Sequence, residues 1–100
     1  MISAESVGPS LVLKFNTDRF DATNASLFSE AVANLHLEGK KSIMLNFESV
    51  KMIDSSAVGI LLDFYKSLPE ASRSITITHP QPAVASMIEF LRLHRVFRIE

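Results

Sequence analysis

The residues of this chain best suited to chemistry are Asp54, Ser55 and Ser56, a carboxylate followed by two hydroxyls. They fall where a strand-like stretch ends and an apolar, helix-like stretch begins. A serine at such a turn can cap the helix, its oxygen accepting from an otherwise unpaired backbone N–H, and this contributes about 1 kcal/mol. The same position suits a phosphate, because a helix N-terminus combines orphan N–H donors with a positive partial charge. Two interpretations of Ser55 stay open, a helix cap or a phosphorylation site.

Phosphorylation of Ser55 would change the charge of this turn by roughly −1.5 to −2 at neutral pH. The fold can tolerate that charge at a helix N-terminus. A partner surface shaped for a neutral hydroxyl cannot easily do so, because like-charge repulsion and desolvation would separate the two proteins. The second interpretation therefore predicts a switch in protein binding.

Catalysis at Ser55 would need a neighbouring base, and the three histidines, His36, His79 and His94, are far apart in the sequence. No Gly-x-Ser-x-Gly elbow is present. No set of His, Asp and Glu residues has the spacing of metal ligands. Three glycines cannot build a phosphate-binding loop or a dinucleotide fingerprint. We therefore expect no enzyme activity, no catalytic residues, no metal and no cofactor.

The bulk composition excludes several other classes. The 100 residues include 47% hydrophobic and 21% charged residues, as in an ordinary globular domain, and we expect one domain over residues 1–100. The net charge of −1 argues against nucleic-acid binding, which requires a basic surface. The chain has no cysteine, signal-peptide pattern or apolar run long enough to span a bilayer. These features predict a cytoplasmic protein that does not insert into a membrane.

Hydrophobic alternation predicts strands on both sides of the Gly8-Pro9 turn, with Leu11, Leu13 and Phe15 on one face of the second. The apolar run 43–47 predicts a central parallel strand buried on both faces. Residues 74–78 predict a third clear strand, and 96–99 a short edge strand.

Spacings of three and four residues predict three helices. The first runs from about Thr23 to Leu37, with Asp21 and Thr23 available as caps and Gly39 ending it. The second begins near Ser55 and stops before Pro69. The third begins at Pro82 and directs Val84, Met87, Ile88 and Leu91 inward. The order β-β-α-β-α-β-α-β predicts an α/β sandwich with a mixed sheet of about five strands.

Residues 53–62 resemble the signature of the STAS family, a hydrophobic residue and Asp-Ser-Ser/Thr-Gly-Leu-Gly before an apolar helix. Residues 19–25 are similar to the family's Gly-x-hydrophobic-Asp element before the first helix. Residues 42–47 resemble its central strand, and the tail from residue 82 to residue 97 resembles its closing helix and strand. The resemblance covers nearly the whole chain and implies a STAS-like sandwich of the anti-sigma factor antagonist type.

The resemblance implies roles for four residues. Ser55 matches the serine that is phosphorylated in the antagonists, Ser56 the adjacent hydroxyl, and Asp54 and Asp21 acidic residues at the same end of the fold. It implies that these four residues meet an anti-sigma factor that is also an ATP-using serine kinase. A phosphatase resets the cycle. The kinase would supply nucleotide and metal, and this chain would be its substrate in partner switching that controls transcription.

Two positions depart from the family pattern. Ala57 replaces the glycine after the second hydroxyl, which would alter the close approach of a partner. Asp18 replaces the glycine before the hydrophobic-Asp pair. The locally basic stretch of Arg92, His94, Arg95 and Arg98 is either a solvated face without function or a surface that steers an acidic partner. An alternative function is a docking subunit of a lipid-trafficking, transporter-associated or stress-sensing complex, in which Ser55 is only a cap. The sequence leaves the oligomeric state open.

Overall fold

A five-stranded sheet lies at the centre of the computed structural model, which describes residues 1–100. The sheet has the order β1-β2-β4-β6-β7, with β1 antiparallel to β2 and all other neighbours parallel. This confirms the predicted α/β class with a mixed sheet of five strands and three helices. In chain order the elements are β1 (Ile2–Val7), β2 (Ser10–Phe15), β3 (Arg19–Phe20), α1 (Ala25–Ala33), β4 (Ser42–Asn46), β5 (Met52–Ile53), α2 (Ser55–Ser67), β6 (Ile75–Thr78), α3 (Pro82–Phe90) and β7 (Arg98–Ile99), with single turns of 3-10 helix at Glu70–Ser72 and Leu93–Arg95.

One face of the sheet carries the hydrophobic core. The strand register places Leu13 beside Leu45, and Leu45 beside Ile77, so that one apolar row crosses the three central strands. Each of these side chains is completely or almost completely buried. The helices add Phe28 and Leu61 to the same cluster. The predicted inward face of β2 is confirmed.

The opposite face of the sheet is not covered by a helix. The register brings Val12 beside Met44 there, and both side chains are partly exposed and lie outside the core cluster. The prediction that residues 43–47 are buried on both faces is therefore wrong. All three helices contribute their buried residues to one core, which leaves none for the second face.

A short second ladder, β3 with β5, holds the segments before α1 and α2 side by side. The pairing is parallel and joins Arg19 to Met52 and Phe20 to Ile53. Phe20 and Ile53 are buried, so this ladder is anchored in the core. The sequence did not predict these strands, because two residues are too few to show an alternating pattern.

The first helix is shorter than predicted. It ends at Ala33, and Gly39 instead occupies a turn before β4 with φ +79°. The reason lies in Leu35 and Leu37, which both pack against the core. Residues two apart point in different directions on a helix, so a continued helix would lose one of these contacts. An irregular segment keeps both.

Candidate functional site

The N-terminus of α2 is capped by Asp54, not by Ser55. Asp54 has extended backbone angles, and its Oδ1 atom accepts a hydrogen bond of 3.0 Å from the backbone N–H of Ala57. Ser55 is already the first helical residue, so its side chain is displaced from the capping position. The prediction of a Ser55 cap is wrong, and a cap worth about 1 kcal/mol belongs to the preceding carboxylate.

The second carboxylate oxygen of Asp54 holds the neighbouring turn. Its Oδ2 atom accepts a hydrogen bond of 3.1 Å from the backbone N–H of Ala22, in the turn between β3 and α1. One side chain therefore fixes the start of α2 against the turn that leads into α1. The two residues lie 32 positions apart in the sequence, and no local pattern signals this contact.

Asp21 lies buried at the base of that turn. Its Oδ1 atom accepts hydrogen bonds from the backbone N–H and the hydroxyl of Thr23, and its Oδ2 atom accepts one of 2.8 Å from Arg19 Nε. The hydroxyl bond from Thr23 is the largest cause that holds the pKa of Asp21 below its ordinary value. Arg19 lowers this pKa further, whereas burial opposes the shift. Asp21 is therefore ionised and fully engaged inside the chain at neutral pH.

The predicted caps of α1 have other roles. Asp21 and Thr23 bond to each other, and the helix begins at Ala25 after Asn24 with no side-chain cap. The backbone carbonyl of Asp21 accepts from the N–H of Ala25 at 2.8 Å, and the Asn24 side chain accepts from the N–H of Asp21. These residues shape the turn before the helix rather than cap its first residues.

Ser55 and Ser56 are the exposed part of the site. Both residues are solvent-exposed, and neither hydroxyl takes part in a hydrogen bond within the chain. They begin a helix of 13 residues, whose first N–H groups lack intrahelical partners. Asp54 satisfies the N–H of Ala57, but no side chain caps those of Ser55 or Ser56. The site therefore presents two accessible hydroxyls where a phosphate would be electrostatically favoured.

Gly59 extends this exposed surface along α2. It lies four residues after Ser55 and three after Ser56, on the same side of the helix. A Cβ at Gly59 would meet no atom within 4 Å beyond its chain neighbours and the backbone of its own helix, so internal packing does not require a glycine there. No local sequence pattern singles out this residue.

The histidines lie elsewhere in the fold. His36 follows α1, His79 follows β6 and His94 lies in the second 3-10 turn, and none bonds to Ser55. No group of three or more His, Asp or Glu side chains is arranged to hold a metal ion. No helix in the chain combines the length and the apolar character that crossing a bilayer requires.

The order of elements and the Asp-Ser-Ser turn before α2 agree with the family resemblance of the sequence. A family model decides the assignment. The model of the STAS domain matches residues 1–100. The chain belongs to the STAS family. This confirms the resemblance drawn from residues 53–62 and the flanking segments.

Solved structures share this STAS fold. A candidate anti-sigma factor antagonist from Thermotoga maritima is 24% identical, with 98% of this chain and 84% of that chain covered and a TM-score of 0.84. The anti-sigma factor antagonist SpoIIAA in its unphosphorylated form is 19% identical, with 100% and 88% covered and a TM-score of 0.78. The Bacillus cell fate determinant SpoIIAA in its phosphorylated form is 20% identical, with 100% and 91% covered and a TM-score of 0.59. At these identities the likeness shows the fold.

The two departures from the STAS signature have structural explanations. Ala57 is completely buried, so its methyl group faces the core and not the exposed surface that carries Ser55 and Ser56. Asp18 is exposed and has no positive φ, so its backbone does not need a glycine. Its carbonyl accepts from the N–H of Lys51 at 2.7 Å and helps to align β3 with β5.

Proposed function

We propose that this STAS protein is an anti-sigma factor antagonist that works by partner switching. The unmodified chain binds a serine kinase that is also an anti-sigma factor. The kinase transfers the γ-phosphoryl group of ATP to the Ser55 hydroxyl, which releases ADP and a proton. The phosphorylated chain leaves the complex, and a phosphatase hydrolyses the phosphoester to restore the hydroxyl. This cycle operates in the cytoplasm, where ATP is available, and controls transcription.

The exposed, unbonded hydroxyl of Ser55 on the first turn of α2 carries the proposal. An enzyme must reach this oxygen, and no internal hydrogen bond has to break first. The added charge would lie at the positive end of a 13-residue helix, so the fold would accept it. A docked partner would meet roughly −1.5 to −2 new charges at the contact.

The two carboxylates of the site position the serines and do not themselves contact the partner. Asp54 and Asp21 were predicted to bind the partner together with Ser55 and Ser56. Both carboxylates are held within the chain, Asp54 by two backbone N–H groups and Asp21 by Arg19 and Thr23. We assign direct contact to the two serines. The two aspartates keep that surface in position.

A phosphorylation assay tests the proposal. The purified chain is incubated with ATP and kinase fractions from the cells that produce it, and phosphate is mapped by mass spectrometry. Ser55→Ala is compared with the matched variant Ser56→Ala. We expect phosphate on Ser55 in the wild type and in Ser56→Ala, and none in Ser55→Ala. Binding of the kinase should fall by at least about tenfold when Ser55 is phosphorylated or replaced by Asp, because a new charge is desolvated at the interface.

Two outcomes would contradict this function. One is the absence of phosphate on Ser55 with every kinase fraction. The other is a stable complex that retains the same affinity for Ser55→Ala and Ser55→Asp. The second result would instead support the docking-subunit alternative, in which the serine has no regulatory role.

A further inference from the structure

The sheet face opposite the helices carries a row of side chains with opposite charges at its two ends. The strand register aligns one residue from each of the five strands of the sheet in this row, in the order Glu5, Val12, Met44, Thr76 and Arg98. Side chains alternate between the two faces along each strand, and the adjacent row, which contains Leu45, points into the core. The row from Glu5 to Arg98 therefore lies on the open face.

An open face is unusual for strands that are paired in this way. Three of the four pairings in the sheet are parallel, and parallel strands normally have both of their faces covered. Between the charged ends the row is uncharged. Val12 and Met44 are partly exposed, and the shorter side chain of Thr76 is 8% exposed. An uncharged centre with a charged margin is the arrangement found in protein interfaces.

The two end charges have no partner within the chain. Glu5 and Arg98 are both exposed, and the one salt bridge of the structure joins Arg19 to Asp21. Four strand spacings of about 4.8 Å separate Glu5 from Arg98 by about 19 Å, which is too far for the two side chains to meet. A complementary partner would place a basic group over β1 and an acidic group over β7.

A second copy of the same chain has this complementarity. Met44 is the middle residue of the row, with Glu5 and Arg98 each two strands away. A two-fold axis that runs parallel to the strands, between two facing sheets at Met44, reverses the row. It places Glu5 of each copy opposite Arg98 of the other and Met44 opposite its own counterpart. The strands of the two sheets then lie within about 30° of each other, as in aligned sheet packing.

We infer that the open face of the sheet is an interface for a second copy of this chain, stabilised by two ion pairs between Glu5 and Arg98 around an uncharged centre. The inference does not depend on the function proposed above. Since α2 lies on the opposite face of the sheet, the dimer leaves the Ser55 hydroxyl of both copies exposed.

The size of the face sets the strength of the dimer. Five strands spaced by about 4.8 Å, with central strands of about five residues, give a face of about 24 by 17 Å, or about 400 Å². A standard stable interface buries about 800 Å² on each protein. We therefore expect a weak dimer, with a dissociation constant of about 0.1–1 mM.

Sedimentation equilibrium of the full chain, from about 10 µM to about 1 mM, tests the inference with charge-reversal variants. Glu5→Lys and Arg98→Glu each place like charges opposite one another at both ion pairs. We expect each variant to self-associate at least about tenfold more weakly than the wild type. The matched control is Glu30→Lys, the same charge reversal on the exposed surface of α1, which should keep the wild-type dissociation constant.

Mixing the two variants separates a specific pair from a general effect of charge. In a heterodimer of Glu5→Lys with Arg98→Glu, the introduced lysine faces the introduced glutamate, and the native Arg98 faces the native Glu5. Both pairs are then attractive. The equimolar mixture should associate at least about tenfold more strongly than either variant alone. A variant that failed to fold could not regain association in this way.

Three results would overturn the inference. The first is a wild-type chain that stays monomeric at about 1 mM. The second is unchanged association of either variant, which would place the contact on another surface, such as the exposed edge of β1. The third is weakened association that does not recover when the variants are mixed. None of these results bears on phosphorylation of Ser55, so the proposed function is decided by its own assay.

Discussion

Gly59 lies in the interior of α2, on the exposed side that also carries Ser55 and Ser56. Glycine is among the least favourable residues in a helix interior, because it loses the most backbone freedom on folding. Replacing it with alanine removes this cost unless the new methyl group collides with a neighbour. Apart from the two chain neighbours and the backbone of the same helix, no atom lies within 4 Å of the position that this carbon would take, so the methyl group would enter open space.

The gain in the free energy of unfolding should be close to the full propensity difference, about 0.8–1 kcal/mol. For a chain of this size, 1 kcal/mol corresponds to a rise in Tm of about 4–8 °C. In urea it corresponds to a midpoint shift of about 0.3–1 M, given an m-value of about 1–3 kcal/mol/M. Thermal and urea denaturation of Gly59→Ala would measure both changes.

The control is Lys66→Ala, at an exposed position in the last turn of the same helix, where the two residues have similar helix propensities. Its free energy of unfolding should change by less than about 0.5 kcal/mol. Equal or lower stability of Gly59→Ala would refute the helical geometry and the open space at this position. If the stabilised variant also binds the proposed Ser55 kinase more weakly, the glycine serves the close approach of that partner.

Two further predictions concern the carboxylates beneath the serines. Asp54→Ala should lower the free energy of unfolding by about 2 kcal/mol, because the Ala57 and Ala22 N–H groups both lose their acceptor; Asp54→Asn should recover at least the cap, and equal urea midpoints for the two variants would contradict this. The lowered pKa of Asp21 means that the unfolded chain binds this proton more readily, so its contribution to stability is complete well above the ordinary aspartate pKa of about 3.9 and is lost as the pH falls below that value through the lowered pKa of the folded chain. Asp21→Asn should flatten the urea midpoint over that window, whereas the exposed Asp18→Asn should retain the wild-type dependence; a wild-type profile in Asp21→Asn would show that another group is responsible.

The sequence by itself determined the features that depend on local spacing. Alternation identified the core face of β2, and helical spacing identified three helices, with Pro82 at the start of the last one. The Asp-Ser-Ser segment was recognisable as a strand-to-helix turn. It carried the family resemblance and identified Ser55 as a candidate phosphorylation site. These features were predictable because neighbouring residues in a strand or helix fix their own relative directions.

The tertiary structure decided which of those directions is covered and which polar groups meet. The spacing of α3 did not show that Met87 faces outward, because Val84 and Ile88 alone fill the core on that helix. Nor did it show that Asp54 takes the capping position from Ser55 and bonds to Ala22, 32 residues away. Such contacts depend on how β3 and β5 are paired and on how three helices share one face of the sheet. Chain packing sets both, and neither leaves a local pattern in the sequence.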